Sequence, residues 1–166
     1  TVFDPMVGTG STVLAALRSK RGGIGVDLIP KFLEIAKARI LNEFPSSLLE
    51  SHPLPPYELI QGDATELSEI PQLQDAKIDY CITSPPYWSV LSNRGSEYQK
   101  SRRERKLPLV YSQEKSDIGN VQDYDRFIEI LVCVYEDVAS FLKRGGHLTI
   151  VVKNLKRKHT VYPLAW

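Results

Sequence analysis

The stretch Thr1-Val-Phe-Asp-Pro-Met-Val-Gly-Thr-Gly10, followed by Ser11-Thr-Val-Leu-Ala-Ala-Leu17, decides the fold class. A short apolar run leads into two glycines, and a helix-forming segment with a polar cap (Thr9 or Ser11) follows at once. Residues 22–28 form a second apolar run, which ends just before Pro30, a residue suited to the first turn of a helix. Strands that alternate with helices and read as continuous apolar runs predict a parallel sheet with helices on both faces. We therefore expect a doubly wound α/β fold.

The rest of the chain continues this pattern. Two more strands are expected at residues 57–63 and 78–83 and a last one at 147–152. A long amphipathic helix is expected from residue 124 to the pair Gly145-Gly146, which predicts its end. Residues 89–119 are polar and irregular, and a connection of this length is typical of a functional or mobile loop. We expect residues 1–166 to form a single domain.

The composition excludes several classes of protein. Of 166 residues, 42% are hydrophobic, and 21 Lys+Arg stand against 20 Asp+Glu, for a net charge of +1, so intrinsic disorder is excluded as the main state. No run of 18 apolar residues predicts a membrane span, and no signal-peptide pattern opens the sequence. The two cysteines do not make a disulfide framework, which favours a reducing, cytoplasmic setting. The basic residues gather at 100–106 and 153–158, where we expect either contact with a polyanion or two solvated loops.

Four predicted strands end in polar or glycine-rich turns, and the carboxyl ends of parallel strands meet at one edge of a sheet. The first turn has Val13 where a dinucleotide fingerprint has its third glycine, so either a nucleotide-like ligand or a plain tight turn fits it. Asp27 lies where an acidic residue accepts ribose hydroxyls in this architecture, or else it caps the following helix. Asp63 either accepts an adenine amino group or makes an Asx turn.

Ser84-Pro-Pro-Tyr87 is the most specific of these turns. Its two prolines fix the backbone and remove two N–H donors, which leaves the local carbonyl groups to accept hydrogen bonds. A serine hydroxyl adds a further acceptor, and an aromatic ring follows. Such a loop can hold an NH2 group by its hydrogens while Tyr87 stacks on the attached ring. The alternative is a rigid proline turn with a packed tyrosine.

These motifs together resemble those of the S-adenosylmethionine-dependent amino-methyltransferases of DNA. Residues 4–12 resemble the cofactor loop of that family, in which phenylalanine is usual at the place of Met6. Residues 25–27 and 62–64 match its ribose and adenine strand ends, and Thr83-Ser-Pro-Pro-Tyr-Trp88 matches its catalytic loop closely. Residues 145–152 and 162–166 resemble later segments of the family.

The resemblance implies a Rossmann-like fold, S-adenosylmethionine as the cofactor, and methyl transfer to the exocyclic amine of a flipped base in DNA. The form with serine before the two prolines leans toward cytosine N4 over adenine N6. The family's sheet has further strands and its members use a target-recognition domain, so we expect this chain to be a fragment, or one part of a split enzyme. An enzyme of the restriction–modification or orphan type is implied, in the cytoplasm, with its oligomeric state open.

The resemblance also assigns residues to roles. It implies that the catalytic residues are Ser84, Pro85, Pro86 and Tyr87. It implies cofactor contacts by Phe3, Asp4, Pro5, Gly8, Gly10, Thr12, Asp27, Leu28, Asp63 and Ala64. Nucleic-acid contacts are expected at Trp88, Arg102, Arg103, Arg105, Lys106, Lys156, Arg157 and Lys158.

The sequence gives less support to other reaction types, namely methylation of a ring carbon and metal catalysis. Methylation of a ring carbon needs a reactive thiolate, whereas Cys81 lies within a predicted strand and Cys133 within the long helix, both expected to be buried. The histidines lack metal-ligand spacing, so we expect no metal. Two alternatives to a DNA enzyme stay open, namely an RNA amino-methyltransferase and a non-catalytic nucleic-acid-binding module on the same fold.

Overall fold

The computed structural model describes residues 1–45, 53–86, 88, 116–157 and 160–164. The chain divides into two compact units, the first made of Thr1–Ser84 with Cys133–Val151 and the second of Pro85–Val132 with Val152–Trp166. Within the described ranges, none of the helices combines the length and the apolar character needed to cross a membrane.

Among the described residues, the first unit contains five strands and the second contains a hairpin. The strands of the first unit are β1 (Val2–Asp4), β2 (Gly23–Asp27), β3 (Tyr57–Gln61), β4 (Ile78–Thr83) and β5 (Leu142–Ile150). The helices are α1 (Ser11–Arg18), α2 (Pro30–Glu43) and α3 (Tyr124–Phe141), the last of which begins in the second unit and ends in the first. Short 3-10 segments occupy Ala64–Glu69, Pro71–Leu73 and Ile118–Asn120. In the second unit β6 (Leu155–Arg157) pairs antiparallel with β7 (Thr160–Tyr162).

The five strands form one parallel sheet in the order β3-β2-β1-β4-β5. Val2 of β1 lies opposite Gly23 of β2 on one side and opposite Tyr80 of β4 on the other. The chain therefore reverses the direction in which strands are added when it passes from β3 to β4. Ligands of doubly wound sheets bind at the carboxyl ends of the strands beside such a reversal, which here lies between β1 and β4.

One face of the sheet packs against α1 and α2. The side chains of its core are Val7, Val13, Leu14, Leu17 and Ile40. A Cβ on Gly23 would lie 3.2 Å from Cγ1 of Val13, so β2 and α1 pack closely there. Tyr80 and Ile82 of β4 point to this same face, where they border a cavity of about 720 Å³ together with residues of α1.

The opposite face carries Phe3 and Cys81, both fully buried. The buried residues of α3 recur at helical spacing, and they are Phe127, Leu131, Val134 and Val138. Burying each such side chain contributes about 1.5–3 kcal/mol, which explains why this helix is long and stable in context. Because parallel connections are right-handed, the reversal of strand order places residues 133–141, the part of α3 in the first unit, on the face away from α1. Tyr135 of α3 interacts electrostatically with Cys81, which agrees with that placement.

Two expectations about this region are wrong. The helix ends at Phe141 and β5 begins at Leu142, ahead of the glycine pair, because Leu142 pairs with Ile78 of β4. Gly145, with φ +81°, accordingly lies inside the strand region and does not end the helix. Cys133 is exposed and not buried, because it lies beside the buried stripe of α3 and not on it. Of the predicted loop at residues 89–119, only 116–119 fall in the described ranges.

Candidate active site

The candidate site lies in the first unit, at the carboxyl ends of β1 to β4. Three of these ends are joined directly by hydrogen bonds. The N–H of Gly8 donates to Oδ2 of Asp27 at 2.7 Å, and the N–H of Gly62 donates to the carbonyl of Asp27 at 3.1 Å. The glycine turn after β1 and the ends of β2 and β3 therefore form one connected edge.

The glycine turn is shaped by Asp4. This carboxylate, 4% exposed, accepts the N–H of Met6 at 3.1 Å and the hydroxyl of Thr12 at 2.6 Å, so it closes the turn onto α1. Gly8 and Gly10 have φ of +53° and +83°, a backbone conformation that favours glycine. Gly10 is itself the N-cap of α1 and no side chain caps the helix, so the expected cap by Thr9 or Ser11 is wrong.

The two glycines differ in what surrounds them. A Cβ on Gly8 would meet nothing within 4 Å, so the turn borders open space there. A Cβ on Gly10 would lie 2.5 Å from the Cβ of Ala36 in α2, so close contact with that helix requires glycine. The guanidinium of Arg39 in α2 also donates to the hydroxyls of Thr9 and Ser11, each at 3.2 Å, and to the carbonyl of Thr9. The glycine turn is therefore held by Asp4 at one end and by α2 at the other.

Burial raises the pKa of Asp4, and the negative charge of Asp27 raises it further. The hydrogen bonds from Thr12 and Met6 and the nearby hydroxyl of Thr83 act in the opposite direction and lower it. Two carboxylates therefore share this short edge, and their like charges are offset by N–H and O–H donors from the turn. Such an edge attracts donor groups of a ligand and not a further anion.

Asp27 and Asp63 both make local hydrogen bonds. Oδ1 of Asp27 accepts the N–H of Ile29 at 2.9 Å, which joins β2 to the start of α2. Oδ1 of Asp63 accepts both the N–H and the hydroxyl of Thr65, at 2.9 and 2.7 Å, so the Asx turn is confirmed. Within the part of the chain that the structure describes, Oδ2 of Asp63 accepts no hydrogen bond, and the side chain is half-buried, which leaves one acceptor oxygen without a donor.

The end of β4 changes abruptly from buried to exposed. Thr83 is 1% exposed, Ser84 is exposed, and Pro85 is buried again. The carbonyl of Thr83 accepts the N–H of Val151 at 2.8 Å, which continues the pairing with the chain after β5. Ser84 therefore stands on a strand end that the sheet fixes, with its side chain toward solvent.

Several residues predicted to contact the cofactor have side chains that are buried in the protein core. Phe3 is fully buried, Pro5 is nearly so, and Ala64 is 7% exposed, so their side chains pack in the core. Leu28 is half-buried directly after Asp27. The roles that the resemblance assigned to these residues stay predictions.

Cys81 has the environment of an inert thiol. It is fully buried, and burial raises its pKa to about 12, with the charge of Asp4 adding to the effect. A thiol with that pKa is almost entirely protonated at neutral pH and is a poor nucleophile. Cys133 is exposed but lies on α3, away from the strand ends. In the described ranges, no three side chains of the metal-binding types cluster.

The second unit holds Trp88 and the hairpin. Trp88 is 4% exposed, and its ring centroid lies 5.3 Å from that of Tyr124 and 4.8 Å from that of Tyr162. These three rings form an aromatic cluster, which the hydroxyl of Tyr124 extends by donating to the carbonyl of Pro163. The predicted contact of Trp88 with nucleic acid stays a prediction, and its burial gives it a packing role as well.

The remaining predicted residues are placed only in part. Lys156 and Arg157 lie on strand β6. Tyr87 and the four basic residues Arg102, Arg103, Arg105 and Lys106 lie outside the described residues, as does Lys158. No role was expected from the sequence for Arg39, which holds the glycine turn from α2 and belongs to no motif. Thr83 was included in the catalytic-loop match, but its effect on the pKa of Asp4 was not expected.

Comparison with solved structures identifies the fold, whereas neither a family model nor a curated protein matches the sequence. TrmN from Thermus thermophilus matches with a TM-score of 0.52 and 14% identity, over 90% of this chain and 32% of that one. A S-adenosylmethionine-dependent methyltransferase from Clostridium acetobutylicum gives 0.49 and 19%, over 90% and 41% of the two chains. An rRNA methylase from Streptococcus thermophilus gives 0.49 and 17%, over 90% and 58%. The predicted doubly wound α/β fold is confirmed by the parallel sheet and agrees with the likeness to TrmN, and the chain spans about a third of the length of TrmN.

Proposed function

We propose that this chain transfers a methyl group from S-adenosylmethionine to the exocyclic amine of a base flipped out of DNA, with cytosine N4 favoured over adenine N6. The observation that carries the proposal is the parallel pairing of β1 with β4. It brings the Asp4 glycine turn and the exposed Ser84 to neighbouring strand ends at one edge of the sheet. One strand end has the features of a cofactor turn, and its neighbour has acceptors for an amine.

The strand ends of β1 to β3 fit the adenosyl part of this cofactor. The open space over Gly8 lets a ligand approach the backbone of the turn. Oδ2 of Asp63 is an acceptor suited to an adenine amino group, and Asp27 lies at the strand end next to it, where a ribose is bound in this architecture. When bound, the cofactor supplies an electrophilic methyl group on a positively charged sulfur, which the carboxylates of this edge stabilise by their charge.

Ser84 and Pro85 are proposed to bind the target amine. Its lone pair is delocalised into the base, so the amine is a weak nucleophile. Hydrogen bonds from the NH2 group to the Ser84 hydroxyl and the Pro85 carbonyl localise the pair on nitrogen. The nitrogen then bonds to the methyl carbon as the carbon–sulfur bond breaks and its electron pair goes to sulfur, and a proton leaves the nitrogen afterwards. Positioning supplies most of the acceleration, and the two oxygen dipoles stabilise the positive charge that develops on nitrogen.

The nucleic-acid part of the proposal follows from the reaction. A base inside a duplex cannot reach Ser84, so it must be flipped out at a cost of a few kcal/mol. Tyr87 is proposed to stack on the flipped base. The basic residues of 100–106 and 153–158 are proposed to bind flanking phosphates, which predicts affinity that falls steeply with salt. The cytoplasmic setting and a target-recognition element outside these residues belong to the same proposal.

The experiment supplies labelled S-adenosylmethionine with separate pools of DNA and RNA, followed by digestion and identification of the methylated nucleoside. N4-methylcytosine in DNA is the expected product, and N6-methyladenine in DNA would correct the base alone. Label confined to RNA would establish the RNA alternative. Absence of both label and cofactor binding would favour the non-catalytic module.

Ser84→Ala tests the role of the serine. We expect transfer to slow by roughly 10- to 100-fold, about 1.4–3 kcal/mol in activation free energy, with cofactor affinity nearly unchanged. Ser140→Ala is a matched control, because Ser140 is also exposed and its hydroxyl donates to the carbonyl of Asp137 within its own helix. Equal loss of cofactor affinity and transfer in Ser84→Ala would contradict the assigned role.

A further inference from the structure

The peptide between Thr9 and Gly10 lies at the centre of the glycine turn. Gly8 and Gly10 flank Thr9 with φ of +53° and +83°, and glycine adopts such angles readily because it is free to adopt many others as well. A residue between two glycines can therefore change the orientation of its peptide groups easily. The affinity of a ligand for such a turn is lowered by the entropy of ordering it, unless the protein orders the turn in advance.

Hydrogen bonds fix this peptide on both sides. Because the peptide is planar and trans, the N–H of Gly10 and the carbonyl of Thr9 point in opposite directions. The N–H of Gly10 donates to the carbonyl of Val7 at 3.0 Å, within the turn itself. The carbonyl of Thr9 accepts from Nη1 of Arg39, which also donates to the hydroxyls of Thr9 and Ser11 at 3.2 Å each. A side chain of α2, outside the turn, therefore determines how the peptide is oriented.

Arg39 bonds to the turn although an acidic residue lies one helical turn further along α2. That residue is Glu43, at the spacing where a helix usually forms an ion pair. Its carboxylate accepts from Nε and Nη2 of Arg18, the latter at 2.6 Å. Two arginines therefore join α1 to α2, with Arg18 at the end of α1 and Arg39 at the turn before its start. Arg39 is half-buried, which restricts its long side chain.

We propose that Arg39 is a positioning residue for the cofactor, whose guanidinium fixes the peptide between Thr9 and Gly10 and so raises the affinity of the glycine turn for S-adenosylmethionine. The inference rests on the proposed function, because it takes this turn to bind the cofactor. Asp27 holds the turn at Gly8, and Arg39 acts on the next residue. Since the acceptors on the turn are uncharged, the effect of Arg39 should depend little on salt.

The test compares Arg39→Met with Arg18→Met. Both variants keep an apolar stem and remove a guanidinium that joins the same two helices, but Arg18 bonds away from the turn. We expect the Kd of S-adenosylmethionine, measured by calorimetry, to rise about 5- to 20-fold in Arg39→Met and to stay within about twofold of the wild type in Arg18→Met. Arg39→Lys should be intermediate, because its ammonium offers three hydrogens to the same acceptors on a stem one atom shorter.

Steady-state kinetics separate positioning from a general loss of structure. In Arg39→Met the KM for the cofactor should rise by a factor similar to that of the Kd, whereas kcat at saturating cofactor should change less than about threefold. A loss of folded protein alone would lower kcat and leave KM and Kd unchanged. The proposal is overturned if Arg39→Met binds the cofactor as tightly as the wild type does, or if Arg39→Met and Arg18→Met weaken binding equally.

Amide hydrogen exchange tests the turn without the cofactor and so separates this inference from the proposed function. The N–H groups of Gly8 and Gly10 are both hydrogen-bonded, so their exchange reports opening of the turn. Exchange at both should be about 5- to 20-fold faster in Arg39→Met and unchanged in Arg18→Met. Wild-type exchange rates in Arg39→Met would overturn the proposal. If the wild type does not bind S-adenosylmethionine but exchange quickens in Arg39→Met alone, the proposed function fails and the effect of Arg39 on the turn stands.

Discussion

Gly10→Ala should destabilise the protein through one contact and one dihedral angle. The new Cβ would lie 2.5 Å from the Cβ and 3.1 Å from the Cα of Ala36, which is itself fully buried in α2. Overpacking of this kind costs about 1–3 kcal/mol, and a non-glycine residue at φ +83° adds about 1–2 kcal/mol. After the gain from a stiffer unfolded chain, we expect a net loss of about 2–4 kcal/mol, or a fall in Tm of about 5–15 °C for a chain of this size.

Two further variants isolate the contact from the dihedral angle. Gly8→Ala carries only the dihedral cost, because a Cβ there meets nothing within 4 Å, so it should lower Tm by a few degrees. Gly10→Ala combined with Ala36→Gly removes the 2.5 Å contact and keeps the 3.1 Å contact with the Cα, so the double variant should lose about 1–3 kcal/mol less than the two single losses added together. Urea unfolding followed by circular dichroism measures the wild type, the three single variants and the double variant. Equal losses in Gly8→Ala and Gly10→Ala, or strict additivity in the double variant, would refute the close contact between the turn and α2.

The remaining predictions concern the thiols and an exposed ion pair. Iodoacetamide at pH 8 should modify Cys133 in the native protein but Cys81 only after unfolding, because burial raises the pKa of Cys81 to about 12. Peptide mass spectrometry identifies the modified cysteines. Rapid modification of both cysteines in the native protein would contradict this prediction. The hydrogen bond from Lys143 is the largest cause that lowers the pKa of Asp79 to about 2, below its value in the unfolded chain. The ionised Asp79 therefore stabilises the folded state above about pH 4, and this contribution is lost as the pH falls toward 2. Lys143→Met should make the unfolding free energy fall less steeply between pH 4 and pH 2. The difference should be small and sensitive to salt, because both side chains are exposed. Equal pH dependence of the unfolding free energy in the variant and the wild type would count against the pair.

The strands and the turns at their ends were predictable because each is encoded locally. β4 has the predicted bounds, and the turns at Asp4, Asp27 and Asp63 lie at one edge as expected. The boundary between α3 and β5 was not predictable, because a glycine pair usually ends a helix. The pairing of Leu142 with Ile78 instead draws the residues before the glycines into the sheet. That pairing depends on a strand more than 60 residues earlier in the chain.

The candidate site shows the same division between local and distant causes. The sequence allowed two roles for Asp63, and the structure contains the Asx turn, whereas the contact with an adenine amino group stays a prediction. Cys133 was misplaced because the apolar triplet Val-Cys-Val spans two faces of a helix, since successive residues are turned by about 100°.

The central strand β1 acquires its two neighbours at very different times during synthesis on the ribosome. Val2 pairs with Gly23, which follows about 20 residues later, and with Tyr80, which follows about 80 residues later. At about 5–20 residues per second, the second edge of β1 stays open for several seconds after the first has closed. An open strand edge is a template for pairing with other chains. We therefore expect slower translation between the codons for Gly23 and Tyr80 to lower the yield of native protein, although the amino-acid sequence is unchanged.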